Sequence, residues 1–310
     1  MQPGLYFIYF HDISDNEIVP AYIRTSPERY KYELGFIFEH FEILSLDLAL
    51  QRLRAVLFGE GFWSKPTAVI CYDDGFRSII EQALPLHAKW KIPFTIFVNG
   101  IFAQQIAVSE ALIIESIQKK WSTKEIRDLF PDFNEKHGLR KYIRAHSCRQ
   151  QFDFLNDHVG KDILPYQPYL SLTELARLPA DLVSVANHTH RHLFLSNLNA
   201  EEQEKEIIDS HNLLRQLPAY KPVICIPFGT EDSYDKVTKS LMHKYNNHIL
   251  MKAVGGISHR IRDGLIEIER IGMNNNKLPI AQHIAQRVEG INLLDNIRQK
   301  IRGFFTQTAY

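Results

Sequence analysis

Two short segments concentrate side chains that can do chemistry. The first is Cys71-Tyr72-Asp73-Asp74-Gly75-Phe76, at the end of the apolar run TAVICY (67–72). Adjacent carboxylates at a strand end point in different directions, so one can bind a metal while the other handles protons. Gly75 permits a tight turn out of the strand. The same residue types also make ordinary solvated turns. The second segment is Asn187-His188-Thr189-His190-Arg191-His192, at the end of LVSVAN (182–187). Three histidines within five residues are hard to explain by packing. His188 and His192 are four positions apart, so one helical turn would put both on one side. Two neutral imidazoles plus one carboxylate make a three-ligand site for one divalent ion such as Zn²⁺, with an open position for water. His190 could replace either neighbour; it ranks below them and is expected to stand behind the site or face solvent.

These segments need elements to position them. Short runs rich in Ile, Val, Phe and Tyr recur: LYFIYF (5–10), TAVICY (67–72), FTIFVN (94–99), LVSVAN (182–187), VICIPF (223–228), HILMKAV (248–254) and LIEIER (265–270). Most are continuously apolar, as strands buried on both faces are. Helical periodicity lies between several of them, over Ser78–Lys89 and over Glu201–Leu217, the latter with Asn199 as N-cap. Alternating strands and helices predict an α/β fold with a parallel sheet. Seven strands predict a distorted (β/α) barrel. The charged stretch 101–170 breaks the rhythm and reads as a helical insertion that could wall a cleft. Apolar residues at helical spacing in 278–310 predict a packed terminal helix. No linker divides the chain, so residues 1–310 read as a single domain.

Composition narrows the partners. The chain has 310 residues, with 36 Lys+Arg balancing 36 Asp+Glu and 45% hydrophobic residues, which excludes a disordered chain. Zero net charge argues against nucleic acid or an anionic membrane surface as the main partner. Cys71, Cys148 and Cys225 are too few for a disulfide framework. The N-terminal stretch lacks the features of a signal peptide, and the longest uncharged stretch is a poor membrane span. The expectation is a soluble, cytoplasmic protein without an integral membrane segment.

Together the two segments resemble motifs of the polysaccharide deacetylases, the family-four carbohydrate esterases with a NodB-homology domain. Cys71 to Gly75 is similar to that family's T/S-F-D-D-G, and His188 to His192 to its H-T/S-x-x-H. Tyr169 to Leu175 resembles the family's "LS" segment, and 193–206 its leucine turn and acidic helix. The resemblance implies Asp73 as general base, and Asp74, His188 and His192 as ligands of the metal that polarises an acetyl carbonyl and activates water. A third motif, R-x-P-[YF]-G, is matched by Pro227-Phe228-Gly229. The Phe228 N–H would then help hold the oxyanion. Cys225 stands where many members carry the Arg that orients the base, and Arg270 could substitute. Phe7 to Ile13 resembles the segment that ends the first strand in members with a rearranged motif order. This implies His11 as the acid for the leaving amine, with Asp12 beside it to keep it protonated. The expected reaction is removal of acetyl groups from an N-acetylated sugar or glycan precursor. O-acetyl ester hydrolysis, amide hydrolysis on a non-sugar, and a degenerate carbohydrate-binding protein are the alternatives.

Overall fold

The computed structural model describes residues 1–133, 138–273 and 278–288. Each of the seven apolar runs becomes a strand: β1 (Gly4–Phe10), β2 (Pro66–Tyr72), β3 (Phe94–Val98), β4 (Val183–Asn187), β5 (Tyr220–Cys225), β6 (Ile249–Lys252) and β7 (Leu265–Gly272). Each pairs in parallel with the next in chain order. β7 then pairs with β1, Phe7 opposite Arg270, and closes a distorted (β/α) barrel. A two-residue strand, Glu42–Ile43, lies beside the start of β2, and Arg260–Arg262 pairs antiparallel with β7.

The period-two alternation of strands sorts the side chains into two cores. Leu5, Phe7 and Tyr9, Val69 and Cys71, Ala186, Val223 and Cys225, and Ile266 and Ile268 pack together inside the barrel. Their neighbours Tyr6, Ile8, Phe10, Ala68, Ile70 and Tyr72 face outward into the larger core beneath the helices. Both strand faces are buried, which is why the runs are continuously apolar.

Helix α1 (Pro27–His40) and helix α2 (Leu46–Leu57) lie between β1 and β2, each N-capped by a serine, Ser26 and Ser45. Leu46, Ala49, Leu50 and Leu53 of α2 join the barrel's inner core. The expected helix over Ser78–Lys89 is not uniform. A π-helical turn, Ile79–Ala83, runs into α3 (Leu84–Trp90). Pro85 lacks the N–H that a regular α-helix would use there.

Between β3 and β4 the chain forms α4 (Glu110–Lys120), α5 (Thr123–Leu129), α6 (Leu139–Ala145) and α7 (Arg149–Leu155). α8 (Ala200–Leu214) follows β4, capped by Asn199 with a reciprocal bond from Glu202. Residues 280–288 are helical; the rest of the expected terminal helix, to Tyr310, lies outside the described residues.

Candidate active site

All seven strands point the same way, so their C-terminal ends share one mouth. The inward alternation carries one step past three strands, where His11 continues Leu5-Phe7-Tyr9, Asp73 continues Val69-Cys71 and His188 follows Ala186; within β7, Arg270 follows Ile266-Ile268. A cavity of about 180 Å³ opens there, lined by His11, Asp73, Asp74, His188, His192, Phe228 and Arg270 among others.

Asp73 and Arg270 form a fully buried bidentate pair. Arg270 Nη1 donates to Oδ1 at 2.8 Å and Nη2 to Oδ2 at 2.9 Å. The guanidinium lies over the ring of Tyr9 at 4.3 Å and near that of Phe97 at 5.4 Å. Its Nε donates to the Lys252 carbonyl. Burial alone would raise the Asp73 carboxyl; Arg270, aided by His188, overrides it and holds the group well below the usual carboxylate range. The arginine thus reaches the acid from β7 and not from the end of β5, where buried Cys225 leaves no basic group.

Asp74 turns the other way because the chain turns sharply. Asp74 and Gly75 both take left-handed backbone angles, φ 66° and 72°. The turn is held from outside: Leu170 N–H donates to the Gly75 carbonyl and Arg77 N–H to the Pro168 carbonyl. Arg77 also pairs with Glu174, the capping-box residue of the Ser171 helix turn.

The second segment is not a helical turn. Thr189 and His192 both have left-handed φ, 66° and 60°. Asn187 Oδ1 accepts from Thr189 N–H, and Glu206 of α8 accepts from Arg191 N–H. These bonds bend the loop so that His192 swings back over His188, ring centroids 5.0 Å apart. His190 does not join the cluster or the cavity that holds it. It is buried against Gly100, where a Cβ would lie 2.6 Å from its Nδ1, beside a separate surface cavity.

Asp74 Oδ1 lies 3.5 Å from His188 Nε2 and 3.4 Å from His192 Nε2. That oxygen is buried without a hydrogen-bond partner. Burial and the neighbouring Asp73 charge push its carboxyl far above the usual range. Burial lowers both imidazoles, so they are neutral with lone pairs free. His188 Nδ1–H donates to the Cys225 carbonyl at 2.8 Å, which aims Nε2 at Asp74. A partnerless buried carboxylate oxygen facing two neutral imidazoles fits a divalent cation. Asp73, His188 and Cys225 also cluster. That set does not fit, because both Asp73 oxygens are engaged by Arg270 and burial keeps the Cys225 thiol protonated.

His11 lines the same cavity, its Nδ1 without a partner. Asp12 does not support it. Alternation sends Asp12 to the opposite face, where Ser78 Oγ donates to it at 2.7 Å and Ser14 Oγ donates as well. Burial lowers the His11 imidazole to about 4, against an upward pull from Asp73.

Phe228 has φ 61° and Gly229 φ 62°. A Cβ on Gly229 would lie 2.3 Å from the Ala253 nitrogen, so only glycine fits. Gly229 N–H donates to the Pro227 carbonyl at 2.7 Å, closing the turn. Pro227 acts through this turn and is not part of the cavity wall. Phe228 lines the cavity, and its N–H has no protein acceptor among the described residues.

The insertion supplies a wall that the motifs did not identify residue by residue: Ser109 and Glu110 at the start of α4, and Arg140 and Arg144 of α6. The i, i+4 spacing of the two arginines was the available signal.

The chain belongs to the polysaccharide deacetylase family, whose model matches residues 63–249. No curated protein matches it in sequence. In fold it is similar to the Streptococcus pyogenes deacetylase PplD, solved in complex with acetate, with a TM-score of 0.58, 17% identity, and 93% of this chain and 99% of that one covered. It is similar also to IcaB from Ammonifex degensii, with a TM-score of 0.60, 14% identity, and 92% and 98% covered. A third likeness is to the polysaccharide deacetylase BC0361 from Bacillus cereus, with a TM-score of 0.55, 15% identity, and 91% and 69% covered. Among the described residues no helix is long and apolar enough to cross a membrane.

Proposed function

We propose that this protein is a zinc-dependent deacetylase that releases acetate from an N-acetylated sugar in a glycan or glycan precursor. The observation that carries the reading is one cavity holding two differently tuned carboxylates. Asp73 is locked to Arg270, and Asp74 is left to a cation with His188 and His192. The ion, when bound, would polarise the acetyl carbonyl and lower the pKa of a water.

The chain's own residues do the rest. Asp73 stays ionised and accepts the proton from the attacking water. Arg270 fixes the carboxylate in one orientation, so little reorganisation is needed as the proton moves. The Phe228 N–H donates to the developing oxyanion. Burial favours the neutral form of His11, so the proton it passes to the leaving amine must first reach it within the cavity, where the Asp73 charge pulls the imidazole upward.

The neutral His11 also favours a second reading, O-acetyl ester hydrolysis, because an alkoxide needs less help from an acid. His11→Ala separates the two. For an N-deacetylase, kcat on an acetamido sugar should fall by about 10²-fold or more, the typical worth of a positioned acid. Hydrolysis of an activated aryl acetate should change little. Acetate release would be followed for an acetamido-sugar oligomer, an O-acetylated sugar and the aryl ester. Turnover of only the two esters by the unaltered protein would replace the first reading with the second.

A further inference from the structure

The cavity carries a positive feature that deacetylation does not use. Helix α6 presents Arg140 and Arg144 one turn apart, both lining the cavity. The Arg140 guanidinium lies 3.8 Å from the ring centroid of Tyr22, and that of Arg144 lies 4.4 Å from Phe228. A cation–π contact with a ring does not use up a guanidinium's N–H donors, which stay available to a ligand. Among the described residues neither arginine has a carboxylate partner. Burial and then the Arg140 charge depress the Arg144 guanidinium, so like charges are held near one another. Tyr22, Asp232 and Glu110 pull Arg144 the other way but are outweighed. Glu110 is a poor counter-charge, because burial raises its carboxyl to about 7 and it already accepts from Ser147 Oγ.

The Phe228 ring that carries Arg144 also packs on His192, centroids 4.8 Å apart. One aromatic ring therefore separates the guanidinium from the Asp74–His188–His192 cluster. We propose that Arg140 and Arg144 form a subsite for a phosphate group on the acetylated sugar, so that the substrate is a sugar phosphate, diphosphate or phosphodiester and not a neutral polymer. One guanidinium fork satisfies a carboxylate; two adjacent forks match the greater charge and number of oxygens of a phosphate. The inference rests on the deacetylase reading above for the sugar, and on the α6 geometry for the anion.

Calorimetric titration of the zinc-loaded protein tests it with three probes. They are N-acetylglucosamine 1-phosphate, N-acetylglucosamine, and an N-acetylated disaccharide bearing glucuronate. At low salt the phosphorylated sugar should bind at least about tenfold more tightly than the neutral one, a difference of about 1.4 kcal/mol. The ratio should collapse towards one in Arg140→Gln/Arg144→Gln. It should survive in part in Arg140→Lys/Arg144→Lys, where charge remains but the fork is lost. Equal binding of phosphorylated and neutral sugars by the unaltered protein overturns the proposal. So does a preference that survives the Gln pair but vanishes in His188→Ala, which would put the phosphate on the metal ligands. Tighter binding of the glucuronate probe overturns the phosphate assignment. A phosphate preference without acetate release from any acetylated sugar upholds the subsite and overturns the deacetylase reading instead.

Discussion

Asp73→Asn is expected to keep its metal and lose about 10²–10⁴-fold in kcat, the usual worth of a positioned base. The amide is nearly isosteric and can still accept a bond from Arg270, but it cannot take a proton. Asp73 is not part of the Asp74–His188–His192 cluster, so metal content should stay at the level of the unaltered protein. Because the substitution leaves Arg270 buried without a counter-charge, kcat and metal content should be measured together, well below the variant's melting temperature. If the variant instead loses metal and regains activity in excess zinc, the two aspartates have exchanged roles.

Arg270→Met removes the other half of the pair, and its largest effect is on stability. Breaking a buried ion pair from one side costs about 3–5 kcal/mol, because the remaining charge has lost its partner. The pH dependence distinguishes this from lost packing. With Arg270 present the folded Asp73 carboxyl is depressed. Its contribution is therefore present above the unfolded carboxyl value of about 3.9 and is lost as pH falls through the folded value. Without Arg270, burial would raise the folded carboxyl above the unfolded one. The residue would then destabilise at neutral pH and cease to do so as it protonates in acid. Urea denaturation with chelator present throughout should show the gap between the two proteins widest near pH 7 and narrowing towards pH 4. A gap independent of pH would mean that Arg270 matters only for its packing between Tyr9 and Phe97.

The barrel was legible because its strands are buried on both faces and so read as continuous apolar runs. The Asp74–His188–His192 grouping was legible because each member sits in a short motif directly after a strand, where parallel topology brings strand ends together. The strand alternation held more than was drawn from it. In LIEIER, Ile266, Ile268 and Arg270 share one face, so Arg270 had to enter the barrel with Asp73. The same rule puts Asp12 opposite His11, which is why neighbours in sequence are not partners in space. Other features depend on longer-range contacts. The left-handed angles at Thr189 and His192 are set by Asn187 and Glu206, which no helical-wheel argument contains. Arg140, Arg144 and Glu110 come from an insertion without strand register, so nothing local places them at the mouth.

The central claim is that acetate release requires a divalent ion held by Asp74, His188 and His192. It is tested most directly by measuring metal content and acetate release on the same samples: the purified protein, the chelator-treated protein, the same protein reloaded with zinc, and His188→Ala. The expected result is about one ion per chain in the first and third samples, with acetate released from an acetamido sugar only by these two. His188→Ala should be metal-poor and inactive. Undiminished acetate release from the chelated protein, or a full complement of metal in His188→Ala, would contradict the account.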